Sequence, residues 1–224
     1  LELPDTPEEF LACCRVFKEN GIETPVGANR WWLETFVLAQ AYADLYNGGN
    51  TAAEIAALNS GEAKYSDYMR TGFEFLQEMI DCGYIDAQKA YMSEAIEGEG
   101  ADFLAGKTPI VMAYWGAANT ETAYGNPDFN MLVIGFPSSR GQMPVMPMTG
   151  IAVGIQAEHA EDAMKTLDIM TSDEALQIYT ETNKVISPSK NVSVDCIPAL
   201  KPLNDRINEN IYVLGSNASM KLEQ

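Results

Sequence analysis

The chain has 224 residues, 46% of them hydrophobic, which is enough to bury a core in one large domain or two small ones. Its formal net charge is −18, from 32 acidic and 14 basic residues, so the basic clusters that phosphate binding needs are missing and nucleic acid and anionic membrane are poor partners. No apolar run approaches the roughly 20 residues that span a bilayer as a helix.

No signal peptide stands at Leu1, which implies either a cytosolic protein or a chain whose export signal has been removed. The first element is signalled at both ends. Thr6 is a natural N-cap, Pro7 fits the first turn, Glu9 completes a capping box, and Gly21 marks the stop. Phe10, Cys13, Cys14 and Phe17 give that helix one apolar face. Residues 22–29 (IETPVGAN) read as a short strand and loop. Arg30 to Tyr46 is apolar around much of its circumference, which predicts a buried helix.

Thr51 and Glu54 repeat the capping-box pattern for a short helix reaching Leu58. Ser66 or Asp67 opens another, with Met69, Phe73, Leu76, Met79 and Ile80 on one side and Gly83 at its close. A helix from about Ser93 to Ala105 leads into FLAGKTPIVMAYWGAAN (103–119). There a Gly-Lys turn launches an apolar strand that delivers Tyr114 and Trp115 to its very end.

After Asn119 the texture changes. Residues 129–137 (FNMLVIGFP) and 150–157 (GIAVGIQA) read as buried strands. The prolines of the intervening loop, SSRGQMPVMPMT (138–149), forbid a central strand. Two helices follow, AEDAMKTLDIM (160–170) and SDEALQIYTET (172–182). The tail from Lys184 reads as loop, interrupted by Pro188, Pro198 and Pro202. The class is α/β, with helices dominating the first half.

The chemistry these residues permit is narrow. Cys13, Cys14, Cys82 and Cys196 match no zinc spacing, and their disulfide state stays open. The one histidine, His159, sits among Glu158, Glu161 and Asp162 at a helix start and reads as a surface residue rather than a catalytic base. No phosphate-binding loop and no dinucleotide fingerprint occurs, and no cofactor is expected. A glycosidase-type acid pair needs two carboxyls placed across a sugar, which most acids here, at helix starts and on polar faces, do not suggest. The aromatics are more telling. Trp31 and Trp32 stand at a helix start behind Asn29 and Arg30, and Trp115 stands at a strand end. Flat aromatic faces pack on the C–H faces of sugars, while Asn and Arg read hydroxyls; a place in the core is the competing reading for each tryptophan.

Six segments then fall into a familiar order: 6–26 (TPEEFLACCRVFKENGIETPV), 72–86 (GFEFLQEMIDCGYID), 102–119 (DFLAGKTPIVMAYWGAAN), 134–141 (IGFPSSRG), 149–179 (TGIAVGIQAEHAEDAMKTLDIMTSDEALQIY) and 183–192 (NKVISPSKNV). Together they resemble the family-1 extracellular solute-binding proteins of ABC sugar importers, the group that includes maltose-binding protein. Each motif is degenerate; their order and spacing carry the resemblance. It implies a type II periplasmic-binding-protein-like fold, seen here as a helix-rich lobe with a small mixed sheet and the N-terminal lobe largely absent. Residues 1–130 would form the C-terminal-type lobe. Residues 131–187 would be the strand-strand-helix-helix segment that returns to the other lobe, and 188–224 would return to the first.

The implied function is non-enzymatic: capture of a sugar or oligosaccharide in an interlobe cleft, hinge closure, and delivery to the ABC permease. The resemblance puts Trp115 on the sugar with Tyr114 beside it. It also borders the cleft with Asn29, Arg30, Trp31 and Trp32, and with the Met148-Thr149-Gly150 turn. It implies an extracytoplasmic location, as a cell-surface lipoprotein or in the periplasm, and the exposed strands of an internal fragment would favour a non-physiological dimer. The alternatives are a carbohydrate-active hydrolase using a carboxylate pair, an interaction module that uses the fold without transport, and, within the binding reading, a polyamine or peptide ligand.

Overall fold

The computed structural model describes residues 2–47, 49–92, 96–112, 130–139, 141, 143–145 and 158–214. The capping box expected at Thr6 forms. The Glu9 amide donates to Thr6 Oγ1 at 3.3 Å, and the Glu9 carboxylate accepts from the Thr6 amide at 3.1 Å, starting α1 (Pro7–Glu19). The chain then runs through β1 (Val26–Gly27), α2 (Arg30–Asn47), α3 (Thr51–Ser60), α4 (Tyr65–Asp81), α5 (Ala87–Met92), α6 (Ile96–Leu104), β2 (Ile110–Val111) and β3 (Met143–Val145). It continues with α7 (Ala160–Met170), α8 (Asp173–Asn183), a 3-10 turn (Pro198–Leu200), α9 (Lys201–Asn208) and β4 (Tyr212–Leu214). The protein is helix-rich with small parallel sheets, which places it in the α/β class.

Contacts divide the chain into two compact units, the first comprising Leu1–Tyr114, Gly135–Met146 and Glu209–Gln224, and the second Trp115–Ile134 and Pro147–Asn208. In the first, α2 is the central element. Phe36, Val37, Ala39, Gln40, Ala41, Tyr42, Ala43 and Leu45 are all buried and between them only Leu38 and Asp44 are half-buried, so most of the circumference of its middle turns is covered, as its largely apolar sequence predicts. Its main partner is α4, and the crossing depends on Gly72. A Cβ there would stand 2.9 Å from the Val37 carbonyl oxygen and 3.1 Å from Gln40 Cβ, so only a glycine lets the two backbones come this close. Phe36 meets Phe75 and Phe136 edge-on, with ring centroids 5.0 and 5.3 Å away, and Phe75 in turn meets Phe10 of α1. Gln40 Nε2 donates to the Pro137 carbonyl at 2.7 Å, which gives the donor side of this buried amide a partner within an otherwise apolar stretch.

Several elements differ from their sequence expectation. On α4 the buried stripe is Gly72, Phe75 and Met79, while Phe73 faces solvent, because the glycine contact sets the helix's rotation against α2. The Thr51 capping box does not form. Asn50 takes the N-cap position of α3 without a side-chain bond, and the Glu54 carboxylate instead accepts the Tyr68 hydroxyl, tying α3 to α4. Residues 87–92 form a helix of their own, α5, and the described part of the 93–105 helix is Ile96–Leu104.

The expected mixed sheet is represented, among the described residues, by two separate parallel pairs, β1 with β2 and β3 with β4. Pro144 lies inside β3, in a segment expected to be loop. Both strands of a two-stranded sheet are edges, so a residue without an N–H is tolerated there. The end of α4 is closed by Gly83 at φ +66°, and Lys18 Nζ donates to the carbonyls of Cys82 and Gly83 at 2.9 and 3.1 Å, covering the negative end of the helix.

The second unit is built around Val194, Ile197 and Leu200, with Val133 and Ile186 packed against them. Residues 130–138 are not a strand. The Val133 amide donates to the Ala199 carbonyl at 2.8 Å, and a 3-10 turn offers no ladder along which further pairing could run. The expected strand at 150–157 lies outside the described residues. The helices α7 and α8 form where predicted, α8 with Ser172 as N-cap accepting from the Ala175 amide at 3.2 Å. The tail is more regular than its prolines suggest, since Pro202 occupies the first turn of α9, where its missing N–H has no partner to lose. Side chains of α8 hold the loop that follows. Asp173 accepts from Ser189 Oγ and Asn191 Nδ2, both at 2.7 Å, and the Gln177 amide pairs with both backbone groups of Ser193.

Candidate functional site

The turn from β1 into α2 carries four of the nine residues expected at a ligand site, and the structure gives them different surroundings. Asn29 is buried, and its Oδ1 accepts the Trp32 amide at 3.1 Å while its carbonyl accepts the Leu33 amide, so it caps α2. Trp32, 7% exposed, joins the core cluster with Ala28, Phe36 and Ala90. Its neighbour Trp31 is 67% exposed. Arg30 lies one residue before Trp31, open to water and paired with Glu34 one turn on, at 3.5 Å from Nε to the carboxylate. Successive residues on a helix point about 100° apart, which is why one tryptophan of the pair enters the core and the other leaves it.

The strand pairing gives this turn its setting. The register sets Val26 against Ile110 and Gly27 against Val111, and the Met112 amide donates to the Gly27 carbonyl at 2.9 Å. Because β1 and β2 run parallel, both carboxyl ends leave from one edge of the sheet, which in open α/β sheets is the edge where ligands bind. Past that edge β1 leads into Asn29 to Trp32. The chain after β2 leads into Tyr114 and Trp115, which lie outside the described residues, as do Met148, Thr149 and Gly150.

The first turn of α2 can therefore offer an exposed indole face, guanidinium donors and carboxylate acceptors, all on adjoining turns of one helix end. An exposed indole packs on apolar C–H surface, and the Arg30–Glu34 pair supplies hydrogen bonds in both directions. Glu34 escaped the sequence reading, although its spacing of four from Arg30 marks it as a helix-face partner.

Elsewhere two carboxylates and one thiol are engaged structurally. Asp102 accepts from Lys89 at 2.8 Å and Lys107 at 3.1 Å, and these hydrogen bonds and charges hold its carboxyl below the usual range. The hydrogen bonds from Ser189 and Asn191 lower Asp173 in the same way. A carboxyl held low is ionised near neutral pH and cannot donate a proton, the reverse of what a glycosidase acid requires. The Cys14 thiol is pushed up to about 12 by burial, which makes it a packing group rather than a nucleophile. All four cysteines are unbridged. Among the described residues no helix is long and apolar enough to cross a membrane.

Compared with known proteins, the chain matches no family model and none of the curated sequences.

Proposed function

We propose that this chain belongs to an extracytoplasmic carbohydrate-binding component of an ABC importer, which captures a sugar or oligosaccharide and delivers it to the permease. The type II periplasmic-binding-protein-like fold and the resemblance to family-1 solute-binding proteins are part of the same proposal. One observation supports it most: Trp31 stands exposed at the carboxyl edge of a parallel strand pair whose second strand continues in sequence to Tyr114 and Trp115. An indole left in water at that edge lacks the packing role that Trp32 fills next to it, and a sugar ring is a fitting partner for it. In this reading Trp31 and Trp115 supply stacking surface, and Arg30 with Glu34 reads hydroxyls.

The test is a titration of the full gene product with a panel of mono- and oligosaccharides, following tryptophan fluorescence and, in parallel, the sugar's integrity. The expected result is a saturable change for one sugar class with the sugar left intact, abolished in Trp115→Ala and weakened at least tenfold in Trp31→Ala. Turnover of the oligosaccharide would replace the binder by the hydrolase. A folded protein that answers to no sugar would overturn the carbohydrate assignment in favour of a polyamine, a peptide or an interaction role.

A further inference from the structure

We draw no further inference here: the strongest candidate, the exposed apolar surface of Met164, Ile169 and Met170 on α7 and Ile178 and Tyr179 on α8, is an unpartnered face, and nothing in the structure shows what covers it.

Discussion

The two units solve the burial problem differently. In the first, a helix that is apolar around most of its middle turns is packed against others, and large side chains (Phe36, Leu45, Met79) reach almost complete burial. In the second, among the described residues, a small cluster of Val194, Ile197 and Leu200 lies beside a loop held by polar clamps from α8, while apolar side chains of α7 and α8 stay in water. Stability in the first unit should therefore follow side-chain volume. In the second it should depend also on hydrogen bonds made by ionised and amide groups, which respond to pH.

The largest expected effect comes from emptying the first core. Phe36→Ala removes a ring that touches both Phe75 and Phe136, and a loss of about 3 to 5 kcal/mol is expected. Leu200→Ala in the second unit should cost about 2 to 3 kcal/mol, near the low end for a buried leucine, because a smaller cluster can collapse into the gap. Denaturant melts that read each unit separately would check the pair, and equal losses would erase the contrast.

Next is Gly72→Ala, where a single methyl group meets the Val37 carbonyl oxygen. Backbone is not a flexible side chain that can move aside, so α2 and α4 must separate, at a cost of about 1 to 3 kcal/mol. Alanine is the better helix former at an ordinary position, so an unchanged or raised melting temperature would show that the close crossing does not limit stability.

Both units carry a carboxylate whose contribution changes with pH, and salt tells the two apart. Asp102 in the first unit and Asp173 in the second both have carboxyls held low. A depressed carboxyl contributes stability that is present above its unfolded value of about 4 and is lost as pH falls through the lower folded value. On acidification below about pH 4 the amides of residues 187–195 should therefore lose their ordered signals in NMR, and Asp173→Ala should show that loosened state already at neutral pH. The two sites separate with salt. Asp102 faces two lysine charges, which about 1 M salt screens, whereas Asp173 is held by neutral Ser189 and Asn191, which salt leaves alone.

The smallest effects belong to exposed residues in both units. Trp31→Ala and Ile178→Ser should each change stability by no more than about 0.5 kcal/mol, whereas Trp32→Ala, one residue from the first, should cost about 3 to 5 kcal/mol. Chemical denaturation of the three variants checks this. A large loss in Trp31→Ala would mark that indole as structural and remove the main support for a ligand site at the strand edge.

Local rules were readable from the sequence wherever the interacting residues lie close along the chain. The capping box at Thr6 and Glu9, the start of α2 at Arg30, the stop at Gly83 and the positions of α7 and α8 all depend on spacings of a few residues, and they form as the spacings dictate. The pattern of α2, apolar around much of its circumference, likewise announced the burial of its middle turns. Of the candidate site, the start of α2 that carries Trp31 and Trp32 was legible, while Tyr114 and Trp115 lie outside the described residues.

What only the tertiary structure decided are the choices among equivalent local options. Asn29, Arg30, Trp31 and Trp32 form one polar-aromatic string in sequence, yet the direction of α2 sends Asn29 and Trp32 inward and leaves Arg30 and Trp31 in water. Glu54 is as good a capping-box acid as Glu9, but the approach of α4 gives it the Tyr68 hydroxyl instead. Phe73 and Phe75 are chemically alike, and the missing Cβ of Gly72 selects which of them faces the core. Pro144 could join a strand because its partner, β4, comes from about 70 residues further along the chain, a distance no local pattern spans. Sequence sets which faces are available, and packing between distant segments chooses among them, because that choice depends on close contacts that exist only once the segments meet.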